Sequence, residues 1–303
     1  MNISNDSFDA TRVELHAIGA GVIPIAVCDG SVYLLLGRER WMASWKGSCR
    51  WSGFEGSRKP GEYIRETAAR EFVEESLGVT IDDTKCALQD RLQDGRYWIR
   101  TVLQIHNERH AERYHCTYLI PVPLDASLPS RFLRIRNQLE HIDQIAQEVR
   151  YLRSTISFGT DSIGSVTWND DGTVTCVHIG DTGAPATTTV AEDLVNDVRR
   201  WSDARDRLTR AVTKETHASV TVIREWGFVQ DVVVNTDYLE KDQVRWWSVA
   251  ELDGVIAGQG RYETHRFRPY FLPVLQTVLH SVRQMTVEQP EVLETAACSP
   301  SAS

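Results

Sequence analysis

Gly56-Ser57-Arg58-Lys59-Pro60-Gly61-Glu62, followed by Arg70-Glu71-Phe72-Val73-Glu74-Glu75, sets a glycine-bearing loop directly before a helix-forming run. The run is acidic on one side only, which restricts how it can be buried. An advance of about 100° per residue gathers Glu71, Glu74 and Glu75 into an arc of roughly 100°. Ala69, Phe72, Val73 and Ser76 fall on the other side, where they can face a core. Residues 66–75 are mostly helix formers with no proline, and Gly78 is the expected stop. Three carboxylates this close repel one another. They also stand toward the C-terminal half of the helix, where the macrodipole disfavours negative charge. A bound cation removes both penalties, and oxygen-only ligands with no His or Cys suit Mg2+ or Mn2+ better than Zn2+. A solvated acidic helix face is the alternative.

Spacing favours the cation. The chain reads G-x5-E-x7-R-E-F-x-E-E, with Gly56, Glu62, Arg70, Glu71, Glu74 and Glu75 in the fixed places and Phe72 in the apolar one. This resembles the Nudix box, G-x5-E-x7-R-E-U-x-E-E-x-G-U with U apolar. In one departure, two residues (Ser76 and Leu77) stand between the last glutamate and Gly78 where the family has one. The ligands precede the extra residue, so ligation is expected to survive while the helix ends one residue late. The resemblance implies an α/β fold, an α/β/α sandwich with a mixed sheet. It also implies a phosphoanhydride hydrolase that cleaves a nucleoside diphosphate linked to another moiety, using Mg2+ or Mn2+. By position, Glu71, Glu74 and Glu75 are the implied catalytic metal ligands, and the Gly56 carbonyl adds another. Glu62 and Arg70 are the implied structural pair. Residues 237–247 resemble the late family strand E-x-x-x-V-x-W-W, with Glu240 at its head. Glu240 is therefore the expected further catalytic carboxylate, with Asp242 and Glu225 next.

The rest of the chain supplies a frame. Its 303 residues, 42% of them hydrophobic, allow a large core in one or two domains. No run of 18 apolar residues occurs, so no membrane partner is expected. The polar N-terminus does not read as a signal peptide, so none is expected, and six scattered cysteines without Cys-x-x-Cys read as reduced thiols. An intracellular, cytoplasmic protein is expected. Residues 18–28 and 32–37 read as strands about an Asp29-Gly30-Ser31 turn, and 50–54 as a short strand into the loop. Residues 90–95 read as a turn, and 98–105 and 115–122 as strands. Helical spacing of Phe132, Ile135, Leu139, Ile142, Ile145, Val149 and Leu152 predicts a helix over 130–153. A second hairpin is expected over 164–180, then a Thr-rich linker over 184–189 and a helix over 190–215. The expected organisation is a flexible N-terminus at 1–12 and a first catalytic part at 13–125. A largely helical insertion with a hairpin follows at 126–235, then a second catalytic part at 236–286 and a disordered tail at 287–303.

Charge bears on the substrate. A formal net charge of −9 argues against a general nucleic-acid binder. Arg131, Arg134 and Arg136, and Arg199 to Lys214, are nonetheless locally basic and could contact phosphates. Arg38, Arg40, Arg58 and Lys59 lie near the box and are expected to bind substrate phosphates. Trp51, clustered with Trp41 and Trp45, is expected to stack on a base. The helical insertion resembles, in architecture, the viral mRNA-decapping branch of the family. Capped RNA is thus the leading substrate, with ADP-ribose or a dinucleoside polyphosphate as the small-nucleotide alternative. A non-catalytic binding module is the third reading, and the intact glutamates count against it.

Overall fold

Residues 17–28, Ala-Ile-Gly-Ala-Gly-Val-Ile-Pro-Ile-Ala-Val-Cys, are apolar on both alternating sets, the pattern of a strand covered on both faces. In the computed structural model this strand is the centre of a sheet, and eight of its residues in a row approach or reach full burial. The structure describes residues 10–79, 85–94, 99–105, 113–156, 162–179, 185–214, 219–225, 229–258 and 264–288. In chain order the elements begin α1 (Ala10–His16), β1 (Ala17–Cys28), β2 (Ser31–Glu39), β3 (Trp51–Ser52), β4 (Phe54–Ser57), α2 (Ile64–Ser76) and α3 (Lys85–Asp94). They continue with β5 (Ile99–Ile105), β6 (Arg113–Pro121), α4 (Leu128–Thr155), β7 (Ser162–Trp168), β8 (Val174–Ile179), β9 (Pro185–Thr189) and α5 (Val195–Lys214). The last are β10 (Val220–Glu225), β11 (Val229–Val234), β12 (Lys241–Ser248), α6 (Val249–Ile256) and α7 (Phe271–Glu288). The chain divides into two compact units, residues 1–136 with 237–303, and residues 137–236.

The first unit is α/β with a mixed sheet. Strand order is β12-β2-β1-β6-β5, with β3 added on β2 and β4 on β1. β1 is antiparallel to β2 and β4 but parallel to β6. Asp29 (φ 50°) and Gly30 (φ 72°) close the β1–β2 hairpin. Two consecutive left-handed residues are the type I′ geometry that an Asp-Gly pair favours. Ile23, Ile25, Leu34, Leu36 and Trp247 form one core with Phe271, Leu275, Val278 and Leu279 of α7. Burying each such side chain contributes about 1.5–3 kcal/mol. α2 packs on β1 and β4, where Phe72 meets Phe54 edge-on at 5.4 Å.

α2 starts and stops by identifiable means. Glu14 of α1 accepts from the Ile64 N–H at 3.0 Å, and Glu66 accepts from the Tyr63 N–H at 2.9 Å. Both place a carboxylate at the positive end of the helix dipole. The helix ends at Ser76 rather than one residue late. Leu77 (φ 57°) and Gly78 (φ 61°) both take the left-handed conformation, and together they absorb the extra residue. Leu77 is a buried cap, so the cost of a left-handed leucine, about 1–3 kcal/mol, is offset by its packing.

In the second unit, β7, β8 and β9 form a three-stranded antiparallel sheet, and β10 and β11 a hairpin. Leu139, Ile142, Ile145, Val149 and Leu152 of α4 are buried, as are Val198, Trp201, Ala204 and Leu208 of α5. Arg207 joins Glu148 at 2.8 and 2.9 Å, and Arg153 joins Asp231 at 3.2 Å.

Several local expectations need correction. Residues 90–94 are helical rather than a turn, because α3 runs through them, and Gly95 lies outside the described residues. The Thr-rich stretch is strand β9, paired along β8, since β-branched threonines suit an exposed edge. Residues 10–12, expected to be flexible, belong to α1. The hairpin β10–β11 is an addition to the elements expected from the sequence. Residues 1–9 and 289–303 lie outside the described residues. Among the described residues no helix is long and apolar enough to cross a membrane.

Candidate functional site

The turn from β4 into α2 is held by a buried guanidinium. Arg70, in the middle of α2, is 6% exposed. Its Nε donates to Glu62 Oε1 at 2.7 Å, and its Nη2 donates to Glu62 Oε2 and to the Ser57 carbonyl, each at 3.1 Å. The Arg70 hydrogen bond, aided by the Lys59 N–H and the Thr67 hydroxyl, lowers the Glu62 pKa to about 2. Nη1 of the same guanidinium donates to Glu71 Oε1 at 2.7 Å and to Glu74 Oε2 at 3.2 Å. Burial raises the Glu71 pKa, and Arg70 offsets only part of that.

Glu71 lies directly against the loop. A Cβ on Gly56 would overlap its carboxyl group, so glycine there lets the backbone and the carboxylate approach without the Glu71 side chain having to shift.

Glu75 has a different environment. Its side chain is 2% exposed. Oε2 accepts from the Glu55 N–H at 2.8 Å, and Oε1 is 3.1 Å from Nζ of Lys241, which has no exposed side-chain surface. The ammonium also reaches Glu39 Oε1 at 2.6 Å and the Ser52 hydroxyl at 2.8 Å. Its aliphatic stem lies over Gly37, where a Cβ would stand 3.0 Å from Cδ. Arg268 donates to Glu39 Oε1 at 2.5 Å. Two cations thus face two carboxylates, and the two acids respond in opposite directions. Burial works against ionising Glu39, but the charges of Lys241 and Arg268 outweigh it and its pKa falls. Burial dominates at Glu75, whose pKa rises despite Lys241. Lys241 itself is held charged, as Glu75 and Glu39 together overcome its desolvation.

A cavity of about 560 Å³ opens above this network, lined by Glu39, Glu55, Gly56, Glu71, His115, Glu240, Trp45, Arg268 and Tyr270 among others. Arg268 lies between aromatic faces, 4.0 Å from the Tyr270 ring centroid and 5.2 Å from that of Trp45. Trp45 is 37% exposed and Tyr270 49%. Glu240 stands at the rim, and its pKa is raised first by desolvation and then by Glu39 and Glu71, despite the opposing charge of Lys241. Glu55 is 5% exposed, and neither of its carboxyl oxygens has a hydrogen-bond partner. His115 Nε2 is 3.0 Å from Glu55 Oε2, an ion pair when the imidazole is protonated, and it too has no hydrogen-bond partner.

The acidic residues expected from the spacing are therefore brought together, but not equivalently. Glu71 and Glu240 reach the cavity, Glu74 rests on Arg70, and Glu75 is engaged below. Among the described residues no three Asp, Glu, His or Cys side chains already converge on one point. None of the five expected substrate contacts lines the cavity. Arg38 is paired with Asp242 at 2.7 and 2.9 Å. Arg58 staples the loop, donating to the carbonyls of Glu62 (2.6 Å) and Glu14 (2.5 Å). Lys59 is exposed on the loop, and its N–H is bound by Glu62. The Arg40 N–H donates to the Glu240 carbonyl at 2.8 Å, while its Nε is buried without a partner. Trp51 sits against Trp247 in the core, edge-on at 5.4 Å, and Trp45 of the same cluster faces the cavity instead. Of the basic triplet in α4, Arg131 pairs with Asp125 and Arg136 donates to the Lys241 carbonyl. The Glu225 side chain lies outside the described residues. Glu55, Glu39, Lys241, Arg268 and His115 are additions to the site expected from the sequence. Only the closeness of Glu55 to Gly56 and of Lys241 to Glu240 in the chain could have flagged two of them.

No protein-family model matches the chain, and no curated protein does. Among solved structures, a C. elegans Ap4A hydrolase crystallised as a binary complex is similar at 16% identity and a TM-score of 0.22. That match covers 34% of this chain and 64% of the other, and a score this low does not establish a shared fold.

Proposed function

We propose that the chain is a Nudix-type hydrolase that cleaves the phosphoanhydride bond of a nucleoside diphosphate derivative with Mg2+ or Mn2+. The observation that carries this reading is the contact of Gly56 with the Glu71 carboxyl at the wall of a cavity rimmed by Glu240. A spacing match alone would be equally compatible with a solvated helix face. A carboxylate held against the loop backbone, its side chain only 12% exposed, is not.

The donor set fits a hard divalent cation. Glu71 and the Gly56 carbonyl would hold it, and both offer oxygen. The Glu55 carboxylate on the same wall favours a cation too, because it is buried and accepts no hydrogen bond, with only His115 at ion-pair distance. Bound there, Mg2+ or Mn2+ would neutralise diphosphate oxygens and lower the pKa of an attacking water. The chain's own residues do the rest. Arg70 keeps Glu71 and Glu74 oriented on one side of α2. Glu240, with its raised pKa, is suited to take a proton at the rim. Trp45 and Tyr270, braced by Arg268, offer aromatic faces for a nucleobase.

Residues 126–235 form, in this reading, an insertion within one catalytic domain. Capped RNA is the finer substrate reading, and a groove in the second unit favours it. Gln138, His141, Arg207, Arg210 and Lys214 line that groove; Arg207 is paired with Glu148, and the charge of Arg210 and Lys214 suits a phosphodiester backbone. The test is a panel of cap-labelled RNA, ADP-ribose and dinucleoside polyphosphates, incubated with Mg2+, with Mn2+ and with chelator. Wild type should release a nucleotide product only with metal, and Glu71→Gln should lose at least 100-fold in rate. Absence of product from every substrate would refute the reading. Arg210→Glu with Lys214→Glu should raise KM for capped RNA alone, and an unchanged KM would remove RNA from it.

A further inference from the structure

We infer that Glu55 takes the cation-ligand position that box spacing gives to Glu75, because Lys241 has already claimed Glu75. The inference rests on the metal-dependent reading above and deepens it by changing the donor set.

Both oxygens of Glu75 are occupied, one by the Glu55 N–H and the other by the Lys241 ammonium. Glu75 is not among the cavity-lining residues. Lys241 cannot easily leave, since Glu39 and Ser52 also hold its Nζ, its side chain has no exposed surface, and its stem is packed on Gly37. A divalent cation drawn to Glu75 would have to sit beside that fixed positive charge. The repulsion disfavours it.

Glu55 is the reverse case. It is the residue before Gly56, so its carboxylate and the Gly56 carbonyl come from consecutive residues of β4. It lines the same cavity as Glu71, it is 5% exposed, and its two oxygens accept no hydrogen bond. His115 Nε2, 3.0 Å from Oε2, is its one close side-chain neighbour of possible positive charge among the described residues, and it makes no hydrogen bond there. A buried, unsatisfied carboxylate beside a second carboxylate is unfavourable unless a cation joins them. The backbone of Glu55 and its side chain thereby act in opposite directions. The N–H fixes Glu75 on Lys241, and the carboxylate replaces it at the cavity.

Mn2+ binding to the full-length protein, read by electron paramagnetic resonance of free Mn2+ and by titration calorimetry, tests this without reference to turnover. Wild type, Glu71→Gln, Glu55→Gln and Glu75→Gln are compared, each checked by circular dichroism and thermal melting in chelator. Glu71→Gln and Glu55→Gln should each weaken Mn2+ binding at least tenfold, while Glu75→Gln stays within threefold of wild type. If Glu55→Gln does not fold, Glu55→Asp, which keeps the charge on a shorter stem, should weaken binding at least fivefold. Glu75→Gln weakening Mn2+ as much as Glu71→Gln would overturn the inference, as would Glu55 variants that bind like wild type, which would make Glu55 merely the neighbour of His115. Wild type that binds no Mn2+ would instead refute the metal-dependent reading itself.

Discussion

Replacing Arg70 with leucine tests the support beneath the whole site. The substitution removes the contacts to Glu62 at 2.7 and 3.1 Å, to Glu71 at 2.7 Å, to Glu74 at 3.2 Å and to the Ser57 carbonyl at 3.1 Å. The three glutamate side chains are 12–17% exposed, so water replaces the guanidinium incompletely. Removing one partner of such a pair costs about 3–5 kcal/mol, and leucine recovers some of the stem's packing. The expected loss is about 3 kcal/mol at neutral pH in chelator. At roughly 2–4 °C per kcal/mol for a unit this large, the melting temperature should fall by about 6–12 °C. The pH dependence has a definite sign. Glu62 is lowered to about 2 in the fold, chiefly by its Arg70 hydrogen bond, against about 4.3 unfolded. A lowered folded pKa gives stability that is present above the unfolded value and lost as pH falls toward the folded one. The difference between wild type and Arg70→Leu should therefore narrow as pH is lowered from about 5 to about 3. Urea unfolding across that range is the assay. A variant within about 1 kcal/mol of wild type, or a gap that does not shrink with acid, would refute the reasoning.

Gly56→Ala should disturb function more than folding. The atoms nearest the added Cβ belong to the movable end of Glu71, so stability should fall by less than about 2 kcal/mol while metal-dependent hydrolysis drops at least tenfold. A stable, fully active Gly56→Ala variant would contradict the proposed role of Glu71. Lys241→Met should cost about 3–5 kcal/mol by chemical denaturation, because Glu39 and Glu75 lose a buried counter-charge. Adding Glu75→Gln should restore at least half of that loss, and a failure to do so would mean the pair is not coupled. Trp45→Ala and Tyr270→Ala, at 37% and 49% exposure, should each change stability by less than about 1 kcal/mol. In steady-state assays on the hydrolysed nucleotide they should raise KM severalfold with kcat kept, the mark of lost uniform binding.

What the sequence determined about this protein is its local chemistry. The Asp29-Gly30 turn, the two-sided burial of β1 and the one-sided acids of α2 all follow from composition and period, because each depends on residues within a few positions of one another. Arg70 and Glu62 are eight residues apart, close enough for one helix and its loop to bring them together. The Thr-rich strand β9 is harder to read, since an exposed edge strand carries no apolar alternation. Tertiary structure decided which acids face the cavity. Lys241 meets Glu39 from 202 positions away, and a register shift between Lys241 and Gln243 breaks the alternation that would have marked the lysine as inward-facing. Arg268 arrives from beyond α6, 229 positions from the glutamate it binds. Sequence spacing treats Glu71, Glu74 and Glu75 as equivalent. The fold does not, because one buried ammonium, delivered by a distant strand, engages Glu75 away from the cavity, while Glu55 lines the cavity with no hydrogen bond to its carboxylate.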